Sequence, residues 1–219
     1  MSTKPLPWAV RAMPRRAVSR FMGGLGRLPL PAAVLTPVLR LYARTYGADL
    51  GEMARPLSSY RSFLDFFTRH LKDGARPLPE DPHAIAAPAD GKVHAAGELE
   101  AGAILQVKGI AYTVEDLVGG TPAIEYGTFF TTYLAPGDYH RYHWPFDATL
   151  EEVRHIPGDL WPVHPGAVAS VPGLFARNER AVLLGRTSSG GRFTIAAVGA
   201  LNVGSIRLTQ VELRTNRGW

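Results

Sequence analysis

A short polar segment beyond the middle of the chain places two histidines beside an acid and a base. It runs Asp138-Tyr139-His140-Arg141-Tyr142-His143-Trp144-Pro145. Histidine has the unperturbed pKa closest to neutrality, so two imidazoles beside a carboxylate and a guanidinium suit proton transfer at an anionic substrate. A polar surface loop or a His-x-x-His metal pair are the alternatives. We expect no metal, because Pro136 and Pro145 oppose a helix that would align the histidines and no third ligand lies nearby in sequence.

Two further segments contain turn residues or charge that such a site could use. Pro88-Ala89-Asp90-Gly91 has the composition of a β-turn and, taken alone, indicates a turn. The stretch 175–180 is typical of a charged turn before a strand, although its two arginines, Arg177 and Arg180, could hold a phosphate.

The composition limits the chemistry that the chain can perform. The 219 residues contain no cysteine, which excludes disulfides, thiolate metal sites and a cysteine nucleophile. The 23 glycines and 18 prolines indicate many turns and short strands rather than a helix bundle. The length suffices for one sizeable core with a small appendage.

The N-terminal region is strongly basic. Its first 48 residues contain eight lysines and arginines and no acid, and aliphatic residues lie between these charges. Apolar residues from Val34 to Tyr46 recur at helical spacing. Such a segment is typical of a helix that lies in an anionic membrane interface, and the interleaved aliphatics argue against nucleic acid. A basic helical arm that packs on its own domain is the alternative.

No segment is expected to cross a membrane or to act as a signal peptide. The longest uncharged run of the basic N-terminal region, Leu28–Leu39, is shorter than the roughly 20 residues of a membrane span and contains three prolines. We therefore expect a peripheral protein at the cytoplasmic face of the cell membrane.

The remaining pattern predicts an α+β fold with amphipathic N-terminal helices on a mostly antiparallel β core. A second helix is expected over 58–74, with His70 as a packing residue on its apolar stripe. Strands are expected over 104–107, 127–134, 150–156, 180–184 and 193–198. We divide the chain into a basic membrane-associating region, 1–55, and a β-rich core, 56–219.

The chain resembles the phosphatidylserine decarboxylase family. Seven pieces occur in the family's order between residues 66 and 206: Phe66-Phe67-Thr68-Arg69, Pro88-Ala89-Asp90-Gly91, Gln106-Val107-Lys108-Gly109, the histidine segment, Pro157-Gly158-Asp159-Leu160, Phe175-Ala176-Arg177-Asn178-Glu179-Arg180, and Val198-Gly199-Ala200 with Val203-Gly204-Ser205-Ile206. No single piece is decisive, but their common order is highly specific.

The resemblance implies a proenzyme that cleaves itself between the Gly and Ser of a Leu-Gly-Ser-Thr motif. That serine becomes a pyruvoyl group on a small α chain, and the large β chain supplies the rest of the site. A Schiff base between the pyruvoyl group and phosphatidylserine then leads to phosphatidylethanolamine and CO2. The implied partners are the α chain, phosphatidylserine and an anionic membrane, with no nucleic acid, and the resemblance leaves room for a homo-oligomer.

The resemblance also implies roles for six residues of this chain. His143 would be the base that activates the serine, with Asp90 as its partner. His140 would be the general acid that reprotonates the substrate carbon. The substrate pocket would be shaped by Tyr139, Arg141 and Asp138.

One feature departs from the family pattern. The sequence contains no Leu-Gly-Ser-Thr, and the nearest match, Leu184-Gly185-Arg186-Thr187, has arginine in place of serine and precedes the Val-Gly-Ala segment. We therefore expect most of a large chain that ends before its cleavage point, with the pyruvoyl serine beyond Trp219. Such a chain would be inactive alone. The alternative is a catalytically inactive relative that binds anionic lipid.

Overall fold

The structure, a computed structural model, describes residues 8–81, 84–99, 101–105, 111–121 and 124–216. Within these residues it is an α+β protein, as the sequence predicts. The helices are α1 (Trp8–Ala12), α2 (Arg15–Arg27), α3 (Ala32–Tyr46), α4 (Phe63–Phe67), α5 (Val114–Val118), α6 (Pro165–Val168) and α7 (Leu174–Arg177). The strands are β1 (Lys92–Leu99), β2 (Ala103–Leu105), β3 (Ala111–Thr113), β4 (Gly127–Tyr133), β5 (Ala148–Ile156), β6 (Arg180–Thr187) and β7 (Arg192–Val198).

The described strands form three small sheets: β1 with β4, β2 with β3, and β5-β6-β7. Pairing is antiparallel between β2 and β3 and throughout the three-stranded sheet.

The predicted strands 127–134, 150–156, 180–184 and 193–198 are confirmed as β4 to β7. The strand predicted over 104–107 is described only to Leu105, and the Gln106–Gly109 motif lies outside the described residues. Strand β1 was not predicted, because its sequence, KVHAAGEL, does not alternate regularly between apolar and polar residues.

Contacts divide the chain into two compact units. The first contains the N-terminal residues to Gly23, His94–Thr131 and the residues from Ala148 onward. The second contains Gly24–Val93 and Thr132–Asp147, and therefore includes both the Pro88–Gly91 turn and the histidine segment. The functional division at residue 55, a membrane region before a core, stays a prediction.

Helix α3 supplies one side of the core of the second unit. Leu35, Leu39 and Ala43 recur at helical spacing and are buried, which confirms the helix predicted from residue 34 to residue 46. They pack with the buried side chains of Ala48, Met53, Tyr60 and Phe66. Gly47, in the left-handed region, ends the helix.

The second predicted helix is much shorter than expected. Over 58–74 the structure has the end of a 3-10 turn and then α4, which is only five residues long. The hydroxyl of Ser62 accepts a hydrogen bond from the Asp65 amide (3.1 Å) and caps its start. The chain beyond α4 is extended because Leu71 pairs with Met53 in an antiparallel β-bridge.

The prediction that His70 packs in a helical core is wrong for the same reason. The amide of Ala54 donates to the carbonyl of His70 (3.0 Å), and the amide of Lys72 donates to the carbonyl of Glu52 (2.8 Å). The chain at residue 70 therefore follows an extended ladder, and the His70 side chain is exposed.

In the first unit, β6 lies between β5 and β7, and its residues 180–185 are buried. Val182 and Leu184 pack with Val114 and Val118 of α5. A capping box between Thr113 and Asp116 begins α5, since each side chain accepts a backbone hydrogen bond of the other residue. This sheet and helix form the core of the unit.

Part of the basic N-terminal arm packs on its own unit, which is the alternative that the sequence left open. The guanidinium of Arg15 forms two hydrogen bonds to the carboxylate of Asp159 and lies 3.6 Å from the ring centroid of Trp161. Only 11% of the Arg15 side chain is exposed. Arg15 therefore attaches the arm to its own unit, and its guanidinium is not available to bind an external anion.

The helices after this contact carry many exposed apolar side chains. Those of α2, α3 and the turn between them include Phe21, Met22, Leu25, Leu28, Leu30, Val34, Val38 and Leu41. No helix within the described ranges combines the length and apolar character needed to cross a bilayer.

Candidate functional site

The histidine segment lies in the loop between β4 and β5. Two backbone hydrogen bonds tie this loop to the segment before β1. The amide of His143 donates to the carbonyl of Pro88 (2.7 Å), and the amide of Ala86 donates to the carbonyl of Pro145 (2.9 Å). The Pro88–Gly91 turn and the histidine segment, which are distant in sequence, therefore lie side by side.

Gly91 allows the turn to approach strand β4 closely. Its φ is +130°, and a Cβ at this position would overlap the carbonyl of Tyr133. A residue with a side chain would therefore meet both backbone strain and a clash. The glycine of this turn has a packing reason that the sequence alone did not show.

The Phe66–Arg69 segment supports the histidine loop from the other side. The Nε of Arg141 donates to the carbonyl of Thr68 (2.8 Å), and Arg69 donates to the carbonyl of Gly137 (2.9 Å). The ring of Phe67 lies 4.1 Å from the imidazole of His140, measured between centroids. Three consecutive residues at the end of α4 thus contact the loop.

The imidazole of His140 is held in one orientation. Its Nδ1 lies 2.8 Å from the carbonyl oxygen of Asp138, and because a carbonyl only accepts, Nδ1 carries the proton. The Nε2 atom remains for chemistry. Burial lowers the pKa of His140 and outweighs the opposing effect of the hydrogen bond to Asp138.

The second histidine has a different environment. The Nε2 of His143 lies 3.1 Å from the phenolic oxygen of Tyr139, and the two rings are stacked with centroids 5.6 Å apart. His143 is exposed whereas Tyr139 is buried, and burial raises the pKa of Tyr139. In the part of the chain that is described, no three His, Cys, Asp or Glu side chains are arranged as a metal site.

Asp90 forms an ion pair with a residue that the sequence analysis did not single out. Its two carboxylate oxygens accept from Nε and NH2 of Arg76 at 2.8 and 2.6 Å. The same guanidinium binds both carboxylate oxygens of Glu52 at 2.8 and 3.0 Å. Hydrogen bonds from Arg76 lower the pKa of Asp90 most strongly, and the Tyr139 amide contributes. The pairing of Asp90 with His143 stays a prediction.

Asp90 borders a cavity of about 680 Å³, lined by Arg76, Ala87, Ala89, Asp90, Gly91, Lys92, Tyr133, Ala135 and Asp138. Of the three residues predicted to shape a substrate pocket, Asp138 lines this cavity, and its carboxylate accepts from the Ala135 amide (2.6 Å). Arg141 is anchored to α4 by its Nε, and Tyr139 bonds to His143. The six predicted residues therefore lie in one unit with Arg76 and Glu52.

No local signal in the sequence identified Arg76 or Glu52. Arg76 lies in a proline-rich stretch that predicts only a loop, and Glu52 precedes the segment that was assigned to a helix. Their pairing depends on a fold that brings residues 52, 76 and 90 together. Periodicity cannot reveal such a contact because it reports the face of one element only.

In the first unit, Arg180 of the charged stretch 175–180 is used internally rather than for a phosphate. The buried guanidinium of Arg180 donates to four backbone carbonyls, those of Asp116, Leu117, Ala176 and Asn178. The amide of Asn178 bonds to the backbone of Trp161 and to the carbonyl of Gly199. These side chains satisfy the ends of short helices and strands, which leaves Arg180 no free donor edge for a ligand.

Comparison with known proteins gives matches over most of the chain. The family model described as phosphatidylserine decarboxylase matches residues 63–218. The chain is 42% identical over 201 residues to the phosphatidylserine decarboxylase proenzyme of Anaeromyxobacter sp., covering 90% of this chain and 71% of the relative. It is 44% identical over 200 residues to the proenzyme of Coxiella burnetii, covering 89% and 70%. With the proenzyme of Halorhodospira halophila it shares 43% identity over 197 residues, covering 89% and 67%. The chain belongs to the phosphatidylserine decarboxylase family.

Proposed function

We propose that this chain supplies the large-chain part of a phosphatidylserine decarboxylase. The reaction would remove the serine carboxylate of phosphatidylserine as CO2 and put a proton in its place, which gives phosphatidylethanolamine. The observation that carries the proposal is the half-buried, singly oriented imidazole of His140 in the loop that also carries His143 and contacts the Asp90 turn, in a chain of this family.

His140 is the proposed proton donor to the substrate carbon. Its Nδ1 proton is held by the Asp138 carbonyl, so the exchangeable proton moves at Nε2. The lowered pKa of His140 makes its protonated form a stronger acid than ordinary histidine. The contact with Phe67 limits access of water to one face of the ring.

The residues of this site fit a pyruvoyl group, whose carbonyl oxygens only accept hydrogen bonds. Two guanidinium nitrogens of Arg69, Nε and NH1, are buried without a hydrogen-bond partner among the described residues. The guanidinium of Arg69 would hold the group. When bound, its conjugated carbonyl supplies a sink for the electron pair that decarboxylation releases.

Self-cleavage would depend on His143 and Asp90. His143 would take the hydroxyl proton of the serine in a Leu-Gly-Ser-Thr motif while the oxygen bonds to the preceding carbonyl carbon. It would then return this proton to the serine nitrogen as the peptide C–N bond breaks. Asp90 would hold the imidazole in the correct orientation and stabilise its charged form. Since these 219 residues contain no such motif, we propose that they need a small α chain for activity.

We further propose that the protein acts at the cytoplasmic face of the cell membrane. The exposed apolar residues Val34, Val38 and Leu41 lie on α3 with Arg40 and Arg44. An amphipathic basic helix of this kind can lie in an anionic interface, where each Lys or Arg contributes about 1 kcal/mol. The substrate is a membrane lipid, so this surface would bring the site to it.

An intact-mass spectrum of the product of the complete gene tests the proposal. The proposal would be supported by two chains, the smaller with a pyruvoyl group at its N-terminus, and by release of CO2 from phosphatidylserine vesicles. A single uncut chain that releases no CO2 would contradict it.

A further inference from the structure

One guanidinium binds two carboxylates in the second unit, and one of these is the proposed partner of the self-cleavage base. Arg76 uses Nε and NH2 for Asp90 and uses NH1 and NH2 for Glu52, with all four distances between 2.6 and 3.0 Å. Its NH1 also donates to the carbonyl of Ala75 (2.7 Å). Every nitrogen of the planar group is therefore occupied.

This geometry constrains Asp90 more than an ordinary surface ion pair would. A single exposed pair contributes little to stability, because solvent and salt screen it and holding two long side chains together costs entropy. A two-point contact fixes the plane of the carboxylate relative to the guanidinium. Glu52 fixes the other edge of the same guanidinium, so Arg76 cannot turn without breaking two further hydrogen bonds. The Asp90 side chain is 22% exposed.

We propose that Arg76, held in place by Glu52, is a positioning residue that aligns the Asp90 carboxylate for self-cleavage. The proposal rests on the proposed function, in which Asp90 orients His143. Neither Arg76 nor Glu52 has to contact the reacting atoms.

The contact with Arg76 leaves Asp90 able to bind an imidazole. An ionised carboxylate offers about four lone-pair positions on its two oxygens. Arg76 occupies one position on each oxygen, and the backbone of Tyr139 interacts with the same carboxylate. At least one position remains for an imidazole N–H, so Arg76 and His143 can share Asp90.

The charge of Arg76 also keeps Asp90 ionised. Its hydrogen bonds are the largest effect that lowers the pKa of Asp90. Loss of the guanidinium would raise this pKa, so Asp90 would bind a proton at a higher pH and would no longer accept from an imidazole. The acid limb, which is the low-pH side of the pH–rate profile for self-cleavage, would then move to higher pH.

The test compares self-cleavage of the full-length gene product in Arg76→Gln, Arg76→Lys, Glu52→Gln and wild-type forms between pH 4 and pH 8. We expect Arg76→Gln to slow cleavage by roughly tenfold and to move the acid limb upward. Arg76→Lys should restore the position of the limb but only part of the rate, because lysine keeps the charge without the two-point contact. Glu52→Gln should slow cleavage less than Arg76→Gln.

Arg55→Gln is the matched control. Arg55 is 48% exposed, against 46% for Arg76, lies in the same unit and pairs with one carboxylate, that of Asp65 (2.7 Å). Its substitution should leave the pH profile unchanged. The inference fails if Arg76→Gln cleaves at the wild-type rate with an unmoved acid limb, or if Arg55→Gln changes the profile equally. An uncut wild-type protein would instead contradict the proposed function itself.

Discussion

At the scale of single residues, the two histidines of the site differ in the contacts that hold their imidazoles. His140 is fixed by the Asp138 carbonyl and by the ring of Phe67, whereas His143 is exposed and bonds to Tyr139. The two imidazoles therefore differ in burial and in available nitrogen. This difference supports the proposal that the two histidines serve different steps.

We predict that His143→Ala and Asp90→Asn each leave the full-length gene product uncut. Either change removes the base or its ionised partner, and activated serine nucleophiles lose several orders of magnitude in rate without them. Gel separation of the chains after expression measures the outcome. Normal cleavage in both variants would remove the roles assigned to His143 and Asp90.

His140→Gln should have the opposite pattern, with normal self-cleavage but no release of CO2. Glutamine can keep the hydrogen bond to the Asp138 carbonyl but cannot donate a proton at Nε2. Exposed His70 gives a control of the same chemistry, and His70→Gln should retain both activities. Turnover by a correctly cleaved His140→Gln enzyme would show that another group supplies the proton.

At the scale of elements, the site depends on short segments that support a loop. Helix α4 ends at Phe67, and Phe67 and the two residues after it, Thr68 and Arg69, each contact the histidine loop. The turn at residues 135–138 also approaches the end of α3, because the hydroxyl of Tyr42 donates to the carbonyl of Pro136 (2.7 Å). Movement of either helix end would displace His140.

Gly137→Ala should therefore impair both stability and activity. A Cβ at Gly137 would overlap the carbonyl of Tyr46 at the end of α3, where backbone cannot move aside easily. We expect a loss on the order of 1–3 kcal/mol in the free energy of unfolding, measured by denaturant titration.

Gly24→Ala provides the control for this substitution. Gly24 lies in α2, and a Cβ there would meet no atom within 4 Å. Alanine at that position should stabilise the protein by up to about 1 kcal/mol through helix propensity. Equal stabilities of the Gly137→Ala variant and the wild type would show that the loop and α3 are not in fixed contact.

At the scale of the whole molecule, the N-terminal region has two uses. Arg15 docks onto Asp159 and Trp161 in the first unit, while α3 in the second unit keeps apolar side chains exposed. The basic residues of the N-terminal region therefore do not all serve the same function. The exposed residues of α3 are the ones available for a lipid surface.

Replacing Val38 and Leu41 together by glutamate should weaken binding to anionic vesicles by roughly tenfold or more, since it removes apolar burial and adds negative charge. Co-sedimentation with phosphatidylglycerol vesicles measures the effect. Leu78→Glu is the control, because Leu78 is also strongly exposed but lies between prolines outside any helix. Unchanged sedimentation of the double variant would argue against a membrane role for α3.

The sequence alone determined the α+β class, the helix at α3, strands β4 to β7 and the family, because these depend on local periodicity and on motifs in a fixed order. It placed His140, His143 and Asp90 in one site through the resemblance. Only the tertiary structure decided the length of α4, the exposure of His70 and the contacts of Arg15. It alone joined Glu52, Arg76 and Asp90. The physical reason is that side-chain partners and helix ends depend on segments that are distant in sequence and become neighbours only when the backbone hydrogen bonds between them form.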